Sequence, residues 1–481
     1  MRGFLASSIG VAAAAALALP LALAAPALAE SAPDTPDTPA AASGSTQSLP
    51  LVPLHPYGEA VRGSARLLPE TRGLAAREVE RFSMVGVVWD DARTELVGQV
   101  QVRTRDAHTA RWSDWQDVET HNSEHAADPD AAESGSGRVR GATAPLWVGE
   151  SDGVEVRVHA EPGAGPARSH GRLPSGMRIE LVDPGLPSTA PASDGKNGKN
   201  GTDTTTDTTT DTSAGTSPVG DDKGEMTVPG MSMAAAEASS ANVPLAPMGA
   251  GEIKALNKSD ATADAVFASD GTLSAAARPY IGPRPRIVTR KGWGANESLR
   301  EPGFVYTNTV KAAFVHHSAS GNNYACKDAP AVLRSLYRYH VVSSGWRDFG
   351  YNFAVDKCGT VYEGRAGGVA KPVQGAHTMG FNTNSMGVVV LGSYTKVNPP
   401  GAALDAVARL TAWKLGLFNA DPRARTSLTS GGGNLYPKGR AVRMNVISGH
   451  RDGFATECPG RLLYAKLPPT RTASAKLQGR P

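Results

Sequence analysis

The stretch Ala313-Phe314-Val315-His316-His317 decides the fold class of the C-terminal third of the chain, because a short apolar run ends there in two histidines. Further short apolar runs follow at residues 351–355 and 386–391. Segments with helical periodicity lie at residues 328–340 and 403–417. Strands that are apolar at consecutive positions are buried on both faces. The pattern therefore predicts an α/β domain over residues 284–470, with a central mixed β-sheet flanked by helices.

Residues 49–185 carry a different pattern, in which apolar and polar side chains alternate. Val100 and Val102 alternate with polar neighbours, and Val154 and Val156 do the same. Period-two alternation with polar turns between the runs is typical of antiparallel strands. We therefore predict an all-β, sandwich-like domain, to which the sequence assigns no role.

The tryptophans of this region allow two interpretations. They form either a sugar-stacking surface or part of the core of the domain. A small sandwich needs large apolar side chains inside, so core packing is favoured. The residues concerned are Trp89, Trp112, Trp115 and Trp147.

The remaining segments lack the pattern of a folded domain. In residues 1–29, Arg2 precedes an apolar run and small residues follow it, which predicts a cleavable signal peptide. Residues 30–48 are rich in Pro, Ala, Ser and Thr and predict a disordered stalk, and residues 186–283 include a Thr/Asp repeat and predict a long disordered, low-complexity linker. Residues 471–481 are expected to form a tail.

Composition limits the compartment and the partners of the chain. A net charge of +3 with 46 acidic residues is too mild for a nucleic-acid binder. No segment after the signal peptide is long and apolar enough to span a membrane, so we expect a secreted protein, extracellular or associated with the cell wall. The cysteines Cys326, Cys358 and Cys458 are odd in number, and in an exported chain the one left over needs a reason such as metal ligation.

Three residues of the C-terminal domain form a candidate metal site. His316 and His450 each follow an apolar strand, and Cys458 comes eight residues after His450. Strand ends hold side chains on a rigid support. Two neutral imidazoles and one thiolate suit Zn²⁺, and three protein ligands leave a fourth tetrahedral position for water. The pattern is typical of a catalytic zinc site.

Three other features that contain histidine are not predicted to bind the metal. His317 points to the opposite face of its strand from His316 and is predicted either to support the metal ligands without binding the metal or to be structural. His340 lies on the apolar face of a predicted helix and is predicted to belong to the core. Residues 121–125 match H-x-x-E-H, the inverted zinc-protease signature. That chemistry needs both histidines on one helical face, whereas the residues that follow have loop composition, so the match is interpreted as a coincidence.

Nine short motifs follow one another in the C-terminal domain: Thr289-Arg290-Lys291-Gly292-Trp293-Gly294, Val315-His316-His317-Ser318, Arg338-Tyr339-His340, Gly345-Trp346-Arg347-Asp348-Phe349-Gly350-Tyr351-Asn352-Phe353, Val361-Tyr362-Glu363-Gly364-Arg365, Gly375-Ala376-His377-Thr378, Gly380-Phe381-Asn382, Asn384-Ser385-Met386-Gly387-Val388, and Gly449-His450-Arg451-Asp452 with Cys458-Pro459-Gly460. In this order they resemble the peptidoglycan recognition protein family. Its catalytic members are zinc N-acetylmuramoyl-L-alanine amidases related to the phage T7 type of lysozyme. The resemblance covers less than half of the chain.

The resemblance implies catalytic roles residue by residue. The zinc ligands of the family fall on His316, His450 and Cys458, and its catalytic tyrosine falls on Tyr351. The catalytic position two residues before the metal cysteine is Lys in the phage enzyme and often Thr in recognition proteins. Here it is Thr456, so a cationic electrophile is not implied.

The resemblance also implies a substrate groove. The substrate-contacting positions of the family match His377 and Asn382, and Arg365 follows the Tyr-Glu-Gly motif. Many family members have Gly-Trp after this arginine, whereas this chain has Ala366 and Gly367. The family rule for the third residue of the stem peptide therefore does not transfer.

The cysteines outside the metal site are predicted to form a disulfide. Cys326 and Cys358 lie in the same predicted domain, just before the first helix and just after a buried strand. Oxidising export favours their pairing.

Together, these features predict a secreted zinc-dependent amidase that hydrolyses the amide bond between the lactyl group of muramic acid and L-alanine. The alternative is a non-catalytic recognition protein that only binds peptidoglycan, since many family members have lost the metal. Cys458, present together with both histidines and Tyr351, favours catalysis. The expected partner is the muropeptide stem of peptidoglycan, and the N-terminal domain is a candidate site for another wall polymer.

Overall fold

The computed structural model describes residues 44–55, 69–120, 122, 125–161, 171–186, 231–268 and 278–481. The predicted signal peptide, residues 30–43 of the predicted stalk and residues 187–230 of the predicted linker lie outside these ranges. Within them, no helix has both the length and the apolar character needed to cross a membrane.

An antiparallel sheet of eight strands forms the N-terminal domain, and its strand order is β1-β8-β3-β7-β4-β5, with β2 and β6 also paired to β3. The strands are β1 (Ser45–Pro50), β2 (Val52–His55), β3 (Thr71–Trp89), β4 (Gly98–Asp106), β5 (Gln116–Val118), β6 (Gly141–Ala142), β7 (Leu146–Ala160) and β8 (Arg178–Asp183). The alternating valines, among them Val100, Val102, Val154 and Val156, are buried in one apolar core. The all-β prediction is confirmed.

The tryptophans divide between the two interpretations. Trp89 and Trp147 are buried, as the core interpretation requires. Trp112 is 38 % exposed, and Trp115 is half-buried. The guanidinium of Arg157 lies 4.0 Å from the centroid of the Trp115 ring. Core packing is therefore wrong for Trp112, because the short strand β5 leaves the preceding loop on the surface.

A seven-stranded mixed sheet forms the C-terminal domain, with the order β17-β11-β14-β12-β13-β10-β9. Strand β11 pairs in parallel with β14 and β17, whereas β12 and β13 are antiparallel. Strands β15 and β16 form a separate hairpin. The strands are β9 (Glu252–Ile253), β10 (Ile287–Val288), β11 (Ala312–His317), β12 (Phe353–Val355), β13 (Val361–Glu363), β14 (Ser385–Val390), β15 (Arg425–Thr429), β16 (Ala441–Asn445) and β17 (Ile447–Gly449).

Helices cover both faces of this sheet, which explains why its strands are apolar at consecutive positions. Val388 and Val390 of β14 belong to the core beneath one helix, and Val389 belongs to the core beneath another, residues 401–417 and 329–338 respectively. The α-helices are α1 (Met233–Ser240), α2 (Lys258–Ala268), α3 (Arg290–Trp293), α4 (Ala329–Arg338), α5 (Gly401–Leu417), α6 (Arg461–Tyr464) and α7 (Leu467–Gln478). Three 3-10 helices span Arg278–Tyr280, Cys326–Asp328 and His450–Asp452, and a π-helix spans Tyr339–Ser343.

The two domains share a core along α4. Met84 and Val88 of β3 and Trp147 of β7 lie in the same apolar cluster as the buried side of α4. Just after α4, the Tyr339 hydroxyl donates to the backbone oxygen of Thr143 at 3.0 Å. This interface holds the β5–β6 connection of the N-terminal domain against the C-terminal domain.

Part of the chain expected to be linker is folded. Helices α1 and α2 and strand β9 lie within residues 186–283, and the Asn242 side chain donates to Glu363 Oε1 at 2.8 Å and accepts from the Val369 amide at 2.9 Å. The low apolar content of this segment conceals its fold in the sequence, because its few buried residues, such as Ile253, belong to the core of the larger domain.

The ends of the predicted unstructured segments also differ from the structure. The last residues of the expected stalk begin β1, which pairs with β8. Most of the expected tail, residues 471–481, lies in α7, where Ser474 is buried and accepts a hydrogen bond from Thr411 at 3.0 Å.

The disulfide prediction is confirmed. Cys326 and Cys358 are bonded, with their Cα atoms 6.1 Å apart. The bond joins the short helix before α4 to the turn after β12. Cys458 is buried and lies outside this bond.

Candidate metal centre

The three predicted ligands meet at one edge of the C-terminal sheet. His316 is near the end of β11, and His450 directly follows β17, the parallel neighbour of β11. Parallel strands place their carboxyl ends at the same edge, so both imidazoles project there. Cys458 Sγ lies 3.7 Å from His316 Nδ1. All three side chains are buried.

A short loop brings Cys458 back to the two histidines. The Asp452 carboxylate accepts from the Gly449 amide at 2.9 Å and from the Tyr464 hydroxyl at 2.6 Å. The Arg451 amide donates to the Cys458 carbonyl at 3.1 Å. These contacts fix the backbone around the cysteine, so the ligand position does not depend on the sulfur alone.

A fourth donor comes from the N-terminal domain. His125, in the β5–β6 connection, is 94 % buried, and its Nε2 lies 3.2 Å from His450 Nδ1. Donor atoms of His125, His316, His450 and Cys458 all lie within 4.8 Å of one another. Burial lowers the pKa of His125 and of His316 well below the usual histidine value, so each ring is neutral and offers a lone pair. The donor set fits a single metal ion.

His125 is a candidate metal donor that the sequence patterns did not indicate. His125 is the last residue of the H-x-x-E-H match, and His121, Ser123 and Glu124 of that match lie outside the described residues. His125 lies on no helix, so the protease interpretation of the motif has no support. As a donor, however, the residue belongs with ligands more than 190 positions away, and periodicity cannot indicate such a partner.

The two predicted catalytic side chains lie beside this centre. The Tyr351 ring is buried, with its centroid 5.2 Å from that of His316 and 5.9 Å from that of His125. Thr456 Oγ1 accepts a hydrogen bond from the Cys458 amide at 3.1 Å. Tyr351 is therefore next to the donors themselves, whereas the observed contact of Thr456 is with the backbone of the cysteine loop.

Two predicted substrate residues, His377 and Asn382, are also close to the metal centre, but both are fully buried in this structure. The His377 ring lies 5.3 Å from that of His316, and burial together with the charge of Arg365 lowers the pKa of His377 to about 3. Asn382 Oδ1 accepts from the amides of His377 and Thr378 at 2.8 and 3.0 Å. Both residues have no exposed surface.

The third predicted substrate residue, Arg365, is covered by Glu133 of the β5–β6 connection, the segment that also carries His125. Its guanidinium donates through two nitrogens to the two oxygens of Glu133, at 2.9 and 3.0 Å. Burial acts to lower the pKa of Arg365, but the charge and hydrogen bonds of Glu133 outweigh it and raise the pKa. The arginine is therefore a fixed cation.

The remaining histidines have the structural roles expected. His317 Nδ1 accepts from the Tyr394 amide at 3.3 Å on the other side of the sheet. His340 is buried, accepts from the Gly350 amide at 3.2 Å and stacks on Trp346 with centroids 4.4 Å apart. Neither residue belongs to the donor cluster.

Comparison with known proteins gives a family for the C-terminal region and a separate match for the N-terminal region. Residues 306–461 match the family model described as N-acetylmuramoyl-L-alanine amidase, and residues 31–175 match one described as Rv3811 N-terminal galactose-binding domain-like. Peptidoglycan-recognition protein LB of Drosophila melanogaster is 30 % identical over 185 residues, which cover 38 % of this chain and 67 % of that protein. The chain belongs to the peptidoglycan recognition protein family.

Other relatives cover the same region. Peptidoglycan-recognition protein SC2 of Drosophila melanogaster is 29 % identical over 183 residues, 38 % of this chain and 84 % of that protein. The N-acetylmuramoyl-L-alanine amidase of Homo sapiens is 32 % identical over 210 residues, 42 % of this chain and 30 % of that protein. The solved structure of wild-type Drosophila PGRP-LB is 27 % identical, covers 38 % of this chain and 92 % of that chain, and has a TM-score of 0.31. Membership of this family supports peptidoglycan cleavage or recognition.

Proposed function

We propose that the chain is a secreted, zinc-dependent N-acetylmuramoyl-L-alanine amidase that cleaves the bond between the muramic acid lactyl group and L-alanine. The observation that carries the proposal is the convergence of His316, His450 and Cys458 beside Tyr351, within the region that matches the amidase family model. A receptor that only binds peptidoglycan has no need of a buried thiol held beside two buried imidazoles.

Two of the donor separations are compatible with a tetrahedral zinc ion, and the full set of four donors lies within 4.8 Å. With Zn–N bonds of about 2.0–2.1 Å and a Zn–S bond of about 2.3 Å, a tetrahedral site has nitrogens ~3.4 Å apart and nitrogen and sulfur ~3.6 Å apart. The corresponding distances here are 3.2 Å between His125 Nε2 and His450 Nδ1, and 3.7 Å between His316 Nδ1 and Cys458 Sγ. His316, His450 and Cys458 would hold the ion in the active enzyme.

The chemistry assigned to the chain follows from these positions. When bound, zinc supplies Lewis acidity, which lowers the pKa of water and polarises a carbonyl. The Tyr351 hydroxyl then donates a hydrogen bond to the substrate carbonyl oxygen as negative charge develops on it. Thr456, through its bond to the Cys458 amide, positions the cysteine ligand. The buried setting strengthens each of these interactions, because little water screens them.

Substrate contacts are assigned to His377, Asn382 and Arg365. Arg365 is a buried cation with a planar donor pair, which suits a carboxylate of the stem peptide. Asn382 offers amide hydrogens, and the centroid of the His377 ring lies 5.3 Å from that of His316. In the N-terminal domain, Trp112 and the galactose-binding-like match support binding of a second wall polymer.

Peptide release from peptidoglycan tests the function. Two proteins are incubated with peptidoglycan: the zinc-loaded chain and a His125→Ala/Glu133→Gln variant. The variant lacks the imidazole beside His450 and the carboxylate charge that pairs with Arg365. The soluble fraction is then analysed by mass spectrometry. An amidase releases peptides that begin with L-alanine and leaves the glycan strands intact. His316→Ala in the same background is the inactive control. Binding to peptidoglycan without any peptide release by either protein would favour the recognition-protein alternative.

A further inference from the structure

We propose that residues 125–133 of the N-terminal domain form a plug, which closes the metal centre with His125 and fills the substrate groove with two carboxylates, so that the described state is latent. The inference rests on the proposed amidase function, because the groove is identified through it. Three contacts along the plug carry the argument.

The first contact closes the metal coordination. Catalysis at a zinc site requires an open position beside the protein ligands, whereas a site with four protein ligands is closed. The His125 ring lies 4.5 Å from that of His450 and 5.3 Å from that of His316, on the side that faces Tyr351. The place where water and the scissile carbonyl would meet Tyr351 is therefore occupied by an imidazole.

The His125 ring is oriented toward the other three donors. Its Nε2 lies 3.2 Å from His450 Nδ1, close to the separation of two nitrogens that share a tetrahedral metal ion. Donor atoms of all four residues lie within 4.8 Å of one another. The ring is therefore placed as a fourth ligand.

The second contact covers Asn382. Its side-chain amide donates to the Ala126 carbonyl at 2.9 Å and to Asp128 Oδ1 at 2.7 Å. The same Asp128 oxygen accepts from the Gly380 amide at 2.8 Å. Asp128 is 8 % exposed, so this carboxylate is received by a prepared set of donors rather than by solvent.

The third contact neutralises Arg365. The two nitrogen–oxygen bonds to Glu133 are charge-assisted and parallel, the geometry in which arginine binds carboxylates most strongly. Both side chains are under 10 % exposed, 6 % for Arg365 and 8 % for Glu133. The Arg347 amide adds a bond to Glu133 at 3.1 Å. An acidic stem peptide must displace this carboxylate to reach the arginine.

The plug therefore occupies the groove with the kinds of chemical group that an acidic stem peptide would present to it. It presents a metal ligand and two carboxylates in a fixed order, and it contains no helix or strand of its own. Because it is tethered to a domain packed on α4, its effective concentration at the groove is high. A ligand that binds only the open form is weakened by the fraction of molecules that are open.

Metal spectroscopy tests the plug independently of activity. X-ray absorption of the zinc-loaded full chain is expected to show one sulfur ligand and the outer-shell scattering of three imidazole rings. His125→Ala is expected to show one sulfur ligand and the scattering of two imidazole rings, with the total number of ligands unchanged. His108→Ala is the matched control, because His108 is exposed and pairs with Glu150 on the N-terminal sheet. Scattering from only two imidazole rings in the unmodified chain, unaffected by His125→Ala, would overturn the proposal.

Substrate access gives a second measurement, and the Glu133→Gln change keeps the shape of the side chain while removing its charge. Calorimetric titration with a soluble muropeptide is expected to show at least tenfold tighter binding to the His125→Ala/Glu133→Gln variant than to the unmodified chain. Equal affinities would refute the plug. Altered coordination and tighter binding without peptide release would support the plug and refute the amidase. Full peptide release by the unmodified chain, with no change in the variant, would support the amidase and refute the plug.

Discussion

Asn242 donates a hydrogen bond to Glu363 Oε1 at 2.8 Å and so fixes a segment of apparent linker composition to an inner strand of the C-terminal sheet. The other carboxylate oxygen of Glu363 accepts from the Arg290 amide at 3.2 Å. Burial raises the pKa of Glu363 to about 7, although the bond from Asn242 and the charge of Arg290 act in the opposite direction. The junction is therefore sensitive to pH.

We predict that Glu363 makes the protein less stable as the pH rises from about 4.5 to about 7. In this window the folded state holds a proton that the unfolded state has released, so the free energy of unfolding falls with increasing pH. A rise in pKa from 4.5 to about 7 corresponds to on the order of 3 kcal/mol. Urea unfolding across this range should show a shallower pH dependence for Glu363→Gln than for the unmodified chain.

The absolute stability of Glu363→Gln does not decide this prediction, because glutamine keeps only one of the two acceptor oxygens. The slope with pH decides it. Glu252→Gln is the control, since Glu252 is exposed and pairs with Arg286 at the sheet edge. Identical slopes for the unmodified chain and Glu363→Gln would show that Glu363 titrates normally.

Tyr351→Phe should keep the zinc content and lower turnover. The phenyl ring preserves the packing against His316, but the hydroxyl that donates to the developing oxyanion is lost. Loss of one such donor typically lowers the rate on the order of 10²-fold or more. Peptide release is measured in the His125→Ala/Glu133→Gln background, with zinc determined by mass spectrometry. Tyr280→Phe, beneath Arg480 at a distant surface, is the control. Unchanged turnover would remove Tyr351 from the mechanism.

Cys458→Ser should separate hydrolysis from binding. A serine hydroxyl stays protonated near neutral pH and is a poor zinc ligand, so the metal is lost or weakened and peptide release stops. Binding rests on Arg365, Asn382 and His377, which are not donors of the cluster. Zinc content, release and muropeptide affinity are measured together in the His125→Ala/Glu133→Gln background. Full zinc and full activity would contradict the ligand assignment, and loss of affinity would make the metal structural.

The sequence predicted those parts of the fold that depend on local pattern. Consecutive apolar residues in β14 predicted a sheet covered on both faces, and alternation around Val100 predicted an all-β domain. His316, His450 and Cys458 could be selected because strand ends, an odd cysteine and family motifs agreed on them. Each of these signals spans a few residues or a known order of motifs.

The parts that were missed depend on contacts between distant segments. His125 and Glu133 meet partners in the other domain, more than 190 residues later in the chain, and nothing in their local composition indicates this. Asn242 lies in a segment of low apolar content, and its side chain is held by Glu363 and Val369, more than 120 residues later in the chain. Trp89 is the last residue of β3 and is buried, whereas Trp112 lies in the loop before β5 and is exposed. The hydrophobicity of the two residues does not distinguish these positions.

The Cys326–Cys358 bond is predicted to stabilise the domain without any role at the metal. It closes a loop with a sequence separation of 32 that contains α4, the helix on which the two domains meet. In the chain-entropy description, a loop of this size contributes about 3–4 kcal/mol by restricting the unfolded chain. The Cys326→Ser/Cys358→Ser double variant should therefore unfold at lower urea concentration and still bind one equivalent of zinc. Peptide mapping without reduction checks the pairing in the unmodified chain. A disulfide that includes Cys458, or loss of zinc in the double variant, would contradict the separation of the two sites.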